Sequence, residues 1–222
     1  MKPKALILGA VLSVLLSTSA AVALAGHRAR HASVDVTTVH DLSLELIGQV
    51  TNSAPGVTPA TSIQYGYVAY LRGLPIFTGD PQNEKTALFT FSVQTTTTRV
   101  ISNGPMKVIS REGAMTIYED SSANGSFSSP DSFRDGTPIL VAGLRQQVVV
   151  DTITGTFSTL NLNTIISSSP FTTGNGQLQL GQPGDKFKTI LNGHLNALAP
   201  PSGYFAGYTV SAGDPPGKAK HH

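Results

Sequence analysis

Thr86-Ala87-Leu88-Phe89-Thr90-Phe91-Ser92-Val93-Gln94-Thr95 alternates: Ala87, Phe89, Phe91 and Val93 fall on one side, Thr90, Ser92 and Gln94 on the other. An apolar residue at every second position marks a strand with one buried face. The period recurs along the chain. In Gly155–Ile166, Leu160, Leu162 and Ile166 alternate with Thr159, Asn161 and Asn163. In Ile63–Leu71, Ile63, Tyr65, Tyr67, Ala69 and Leu71 share a side, and further on Phe187, Thr189 and Leu191 alternate with Lys186, Lys188 and Ile190. Further strand-like runs are Val34–Val50, Arg99–Ser102, Met106–Ser110, Ala114–Glu119, Pro138–Asp151 and Tyr204–Ser211.

Turn chemistry separates these runs: Asn103-Gly104-Pro105, Arg111-Glu112-Gly113, Asn124-Gly125, Asp135-Gly136 and Gly174-Asn175-Gly176. Helical periodicity is missing after residue 33, and with only 13% charged residues the composition disfavours long surface helices. About nine to eleven closely spaced strands predict an all-β, single-domain antiparallel β-barrel or β-sandwich. The domain is assigned to residues 33–212, between polar tails at 26–32 and 213–222, with no composition break or internal repeat. Ile139–Val150 is apolar on both faces apart from Arg145, Gln146 and Gln147. Such a strand is either covered on both sides or lines a cavity.

The start of the chain has the layout of a secretory signal peptide, assigned to residues 1–25. Lys2 and Lys4 precede an uncharged apolar run, Ala5–Leu16, and a small-residue segment ends in two overlapping cleavage patterns, Ala21-Val22-Ala23 and Ala23-Leu24-Ala25. The apolar run is short for a spanning helix, which needs about 20 residues. The expected location is therefore secreted or otherwise extracytoplasmic, with no transmembrane domain after cleavage; an uncleaved anchor is the alternative. The chain has 15 Lys+Arg and 13 Asp+Glu, so losing Lys2 and Lys4 leaves a neutral mature protein. With no clustered basic face, nucleic-acid binding is not expected. The chain contains no cysteine, which removes thiol catalysis and Cys-based zinc sites. Together with export, that points to a bacterial source.

Four groups of residues bear on function. Asp120, Ser122, Asn124, Gly125, Ser128 and Asp131 follow much of the spacing of a calcium loop. The loop supplies only two carboxylates and follows a strand, so a polar hairpin loop is the simpler account, and calcium is the one cofactor the sequence admits. Asp131 and Asp135 flank Arg134, and Glu119 and Asp120 would add a further carboxylate only if the fold brings them near. Paired carboxylates can divide acid and base roles in glycoside cleavage, but a turn held by a local ion pair explains the cluster more simply. Arg145 and Gln147 interrupt an apolar strand; pointing into a lumen, they would orient a small ligand. Finally, Tyr65, Tyr67 and Tyr70, with Tyr204, Phe205 and Tyr208, would suit a glycan if they faced solvent.

His194 is the only histidine in the body of the chain apart from His40; His27, His31 and His40 lie in or near the N-terminal tail, and His221 and His222 end the chain. No Gly-x-Ser-x-Gly motif is present, which counts against a serine hydrolase. The reading that results is an exported binding or structural protein rather than an enzyme, with a small apolar ligand or a glycan as partner. The alternative is a small isomerase- or cyclase-like barrel enzyme, its substrate oriented by Arg145, Gln147 or His194. A cell-surface or matrix component is the third class. Oligomeric state and ligand identity are not legible in the chain.

Overall fold

The structure, a computed structural model, describes residues 32–34, 44–71, 74–174, 176–196 and 202–211. The signal peptide assigned to residues 1–25, the tails except residue 32, and His27, His31, His40, His221 and His222 lie outside the described residues. The strands are β1 (Ala32–Val34), β2 (Leu44–Asn52), β3 (Thr61–Leu71), β4 (Phe89–Asn103), β5 (Met106–Glu119) and β6 (Thr137–Asp151). They continue with β7 (Thr156–Ser168), β8 (Phe171–Thr173), β9 (Gly176–Leu180), β10 (Lys186–Leu195) and β11 (Gly203–Ser211). One short 3-10 turn, Pro130–Phe133, is the only helical element among the described residues.

Eight strands close a barrel in the order β2-β3-β4-β5-β6-β7-β10-β11, with β11 pairing back onto β2 and every neighbour antiparallel. The choice between barrel and sandwich is thereby decided. It is an up-and-down meander, interrupted once where β8 and β9 leave to form a small sheet with β1.

Three of the expected short runs proved to be parts of longer strands. Arg99–Ser102 continues β4, and Met106–Ser110 and Ala114–Glu119 are one strand, β5. The turn expected at Arg111-Glu112-Gly113 is therefore corrected: these residues lie within β5. Gly113 is needed there for close approach, since a Cβ on it would overlap the Gln94 carbonyl of β4. The expected turn at Gly104 is present; Asn103 pairs with Met106, and Gly104 adopts φ +56° in the two-residue link.

The two ends of the barrel differ. At one, the turn end, short connections join β4 to β5 and β6 to β7. At the other, long segments join β3 to β4, β5 to β6 and β7 to β10. There the lumen is packed solid: Leu44, Phe89, Phe91, Met115, Ile117 and Phe187 are buried in one cluster. Phe171 of β8 closes that end, its ring edge-on to Phe89 at 5.4 Å.

Alternation groups residues by face except at the β3 irregularity, where Leu71 turns into the core and away from Tyr65 and Tyr67, and it does not always choose the side. On β4 the apolar face points inward as hydrophobicity demands. On β7 it does not: Thr159, Asn161 and Asn163 are buried, whereas Leu162 is 45% and Ile166 61% exposed. Closure imposes this inversion, because the register with β6 and β10 sets the side that each residue of β7 presents.

Candidate functional site

Above the packed end, the lumen carries a polar belt. Gln146 of β6 donates from Nε2 to Asn161 Oδ1 at 3.0 Å, both side chains buried. Asn163 donates to the Phe187 carbonyl at 3.2 Å and to Thr189 Oγ1 at 3.1 Å. Arg111 of β5 reaches across the lumen. Its Nε donates to Thr97 Oγ1 at 3.3 Å, Nη1 to Gln146 Oε1 at 3.4 Å, and Nη2 to Asn52 Oδ1 at 3.2 Å. Burial pushes its pKa downward, yet a guanidinium starts so high that it stays charged.

Beyond the belt, toward the turn end, lies a cavity of about 190 Å³. Its walls are mainly apolar: Val50, Ile109, Val148, Val150, Leu191 and Phe205, with Leu195 and Phe157 beside them. Asn52, Gln64, Arg111 and Thr159 supply the polar part, with Lys107 and Thr152 exposed near the mouth.

Local sequence opens this space. Phe157 pairs with Gly193 and Phe205 with Gly48, and a Cβ on either glycine would meet the ring opposite. Each ring therefore lies over its glycine instead of filling the lumen, the small-against-large alternation that small barrels use. Gln64 is 4% exposed, and its Oε1 has no hydrogen-bond partner. An unmet buried acceptor costs about 1–3 kcal/mol, so a donor brought into the cavity would find it available.

The residues singled out from sequence lie elsewhere. Arg145 and Gln147 do share a face with Val141 and Val149, but that face is the outside, which corrects the expectation that they enter the lumen. The Arg145 side chain is 81% exposed, with Nε 3.9 Å from Glu112 Oε1. The inward residue is their neighbour Gln146. Valines on both faces of β6 gave hydrophobicity nothing to choose by. His194 is also exposed on the outer face, in register with Thr156 and Tyr204 and beside a shallow groove that includes Ile47 and Phe127.

In the calcium-like loop, Asp120 is buried and accepts backbone N–H bonds from Ser122 at 3.0 Å (Oδ1) and Asn124 at 3.3 Å (Oδ2). Asp131 pairs with Arg134 at 2.6 Å, as expected of a local turn, and Asn124 donates to Asp135 Oδ2 at 3.2 Å. Among the described residues no three His, Asp or Glu side chains converge as metal ligands. Glu119 is held above the usual carboxylate range by desolvation.

Tyr65 and Tyr67 are buried, which corrects the thought that they form an open flat face. Phe127 and Phe133 of the β5–β6 connection cover them, with ring centres 5.8 Å apart for Tyr65–Phe133 and 6.3 Å for Tyr67–Phe127. Tyr70, Tyr204 and Tyr208 are exposed.

Sequence reasoning missed Arg111 by reading it as part of a turn. The signal was present: Lys107, Ile109, Arg111, Gly113, Met115 and Ile117 keep one period through the supposed break. Comparison with protein families, with curated proteins and with solved structures finds no match to this chain.

Proposed function

We propose that this is an exported, non-catalytic binding protein whose barrel holds one small apolar molecule at the turn end of its lumen. The observation that carries the reading is the cavity itself, apolar-walled and edged by a few convergent polar groups, the common composition of small-molecule sites. Export rests on the leader-like residues Met1–Ala25. The enzyme alternative has less support, because Arg145, Gln147 and His194 all lie outside the lumen.

The size suits a single ring. A cavity of about 150 Å³ is enough to bind benzene, and this one is modestly larger. Toluene titrated into the protein is expected to shift the methyl resonances of Val50, Ile109, Val148 and Leu191 in carbon-detected NMR. Val148→Phe, which fills the space, is expected to abolish those shifts while the rest of the spectrum keeps its dispersion. Shifts confined to outer-face methyls such as Ile47 and Ile166, or none at all, would sink the proposal.

A further inference from the structure

We infer that the ligand of this cavity is a small aromatic or alicyclic monocarboxylate, its carboxylate received by Arg111. The inference rests on the binding function proposed above and adds the ligand's chemical class. It starts from an imbalance of charge. Arg111 lies half-buried at the floor of the cavity, and its three hydrogen bonds all go to neutral acceptors: a threonine hydroxyl and two side-chain amides. They are long for charge-assisted bonds, at 3.2–3.4 Å.

The neighbouring acid on β5, Glu112, points outward and faces Arg145. Among the described residues lining the cavity, the only other ionisable side chain is Lys107, a second cation, and none is an acid. A guanidinium partly withdrawn from water without a counter-charge is unfavourable. It becomes favourable when an anion arrives.

The form of that anion follows from geometry. Arginine presents five N–H donors in a planar fork, and three of them are engaged here. One donor on each terminal nitrogen remains, enough in number to meet the two oxygens of a planar carboxylate. A phosphate dianion would bring two charges to one guanidinium in an apolar chamber. The walls select the other half of the molecule: Val50, Ile109, Val148, Leu191 and Phe205 leave room for a ring and few further atoms. The unmet Gln64 Oε1 is the second sign that this floor expects a ligand, one that also carries a hydroxyl or N–H donor.

Arg111 also braces β5 against β2, β4 and β6, a structural role that would exist without any ligand. The test therefore compares ligands within one protein before it compares proteins. Benzoate and nitrobenzene have nearly the same shape and differ in charge. In NMR titrations at neutral pH, benzoate is expected to bind the wild-type protein at least about tenfold tighter than nitrobenzene.

Arg111→Gln is expected to erase that preference, bringing the two ligands' affinities to within about twofold of each other. Arg111→Lys should retain part of it, and Lys107→Gln nearly all. Equal affinities in the wild type, a preference that survives Arg111→Gln, or one that Lys107→Gln removes would overturn the inference. The wild-type comparison decides even if a variant fails to fold. Toluene or nitrobenzene binding without benzoate preference overturns the carboxylate alone and leaves the binding lumen standing. If toluene, nitrobenzene and benzoate all fail to bind, the lumen reading falls with it.

Discussion

Gln146 and Asn161 are polar residues on inward positions, each the other's partner across β6 and β7. Such a pair contributes little net energy while intact, and much of its effect appears when one member is lost and the other keeps its desolvation cost. Asn161→Ala is accordingly expected to lower stability by about 1–3 kcal/mol in urea unfolding. A change under about 0.5 kcal/mol would mean that Gln146 finds another partner. This scale was the least legible in the chain. Arg145, Gln146 and Gln147 stand side by side, and only the middle one enters the lumen. Nothing within that tripeptide distinguishes inside from outside; the partners that do so, Asn161 and Arg111, are distant in sequence.

The strands themselves were legible, and the connections between them much less so. Strands of period two were recognisable because each carries its pattern locally, as β4 and β10 show. The β5–β6 connection looked like a polar loop, with Ser122, Asn124, Gly125 and Ser128 dominating its composition. Folded, it drives Phe133 to full burial on the outer wall, with Phe127 beside it at 4.9 Å, and makes a second small core over Tyr65 and Tyr67. Two phenylalanines in a polar segment were the available clue.

Phe133→Ala is expected to cost about 3–5 kcal/mol, in the range for a buried aromatic. It should also raise quenching of tyrosine fluorescence by iodide, a clean readout because the chain has no tryptophan. Unchanged quenching together with a loss below about 1 kcal/mol would show that the connection does not cover this wall.

At the scale of the whole molecule, closure is the decisive event. β2 pairs with β3 on one side and with β11 on the other, so neither the first nor the last barrel strand is left as an edge. A sandwich of the same strands would leave edges with unpaired backbone groups. Hydrogen exchange separates the two: amides of Leu46–Val50 and Phe205–Tyr208 are expected to be protected as strongly as those of Phe91–Thr95 in β4. Fast exchange along β2 or β11 would show that the barrel opens there.

Closure also explains why the cavity was not legible. It is made by residues from β2, β3, β5, β6, β7, β10 and β11, and its volume depends on Phe157 and Phe205 lying over glycines contributed by neighbouring strands.

The all-β class, the period of each strand and several of the turns can be read directly from the chain. These depend on residues two apart, or adjacent in a turn, and are therefore written locally. Closure of the sheet, the face of β6 and β7 that lies inside, and the entry of Arg111 rather than Arg145 into the lumen emerge only in the folded barrel. Those outcomes depend on register summed around eight strands. A shift of one residue in that register exchanges inside for outside, and no single strand records it.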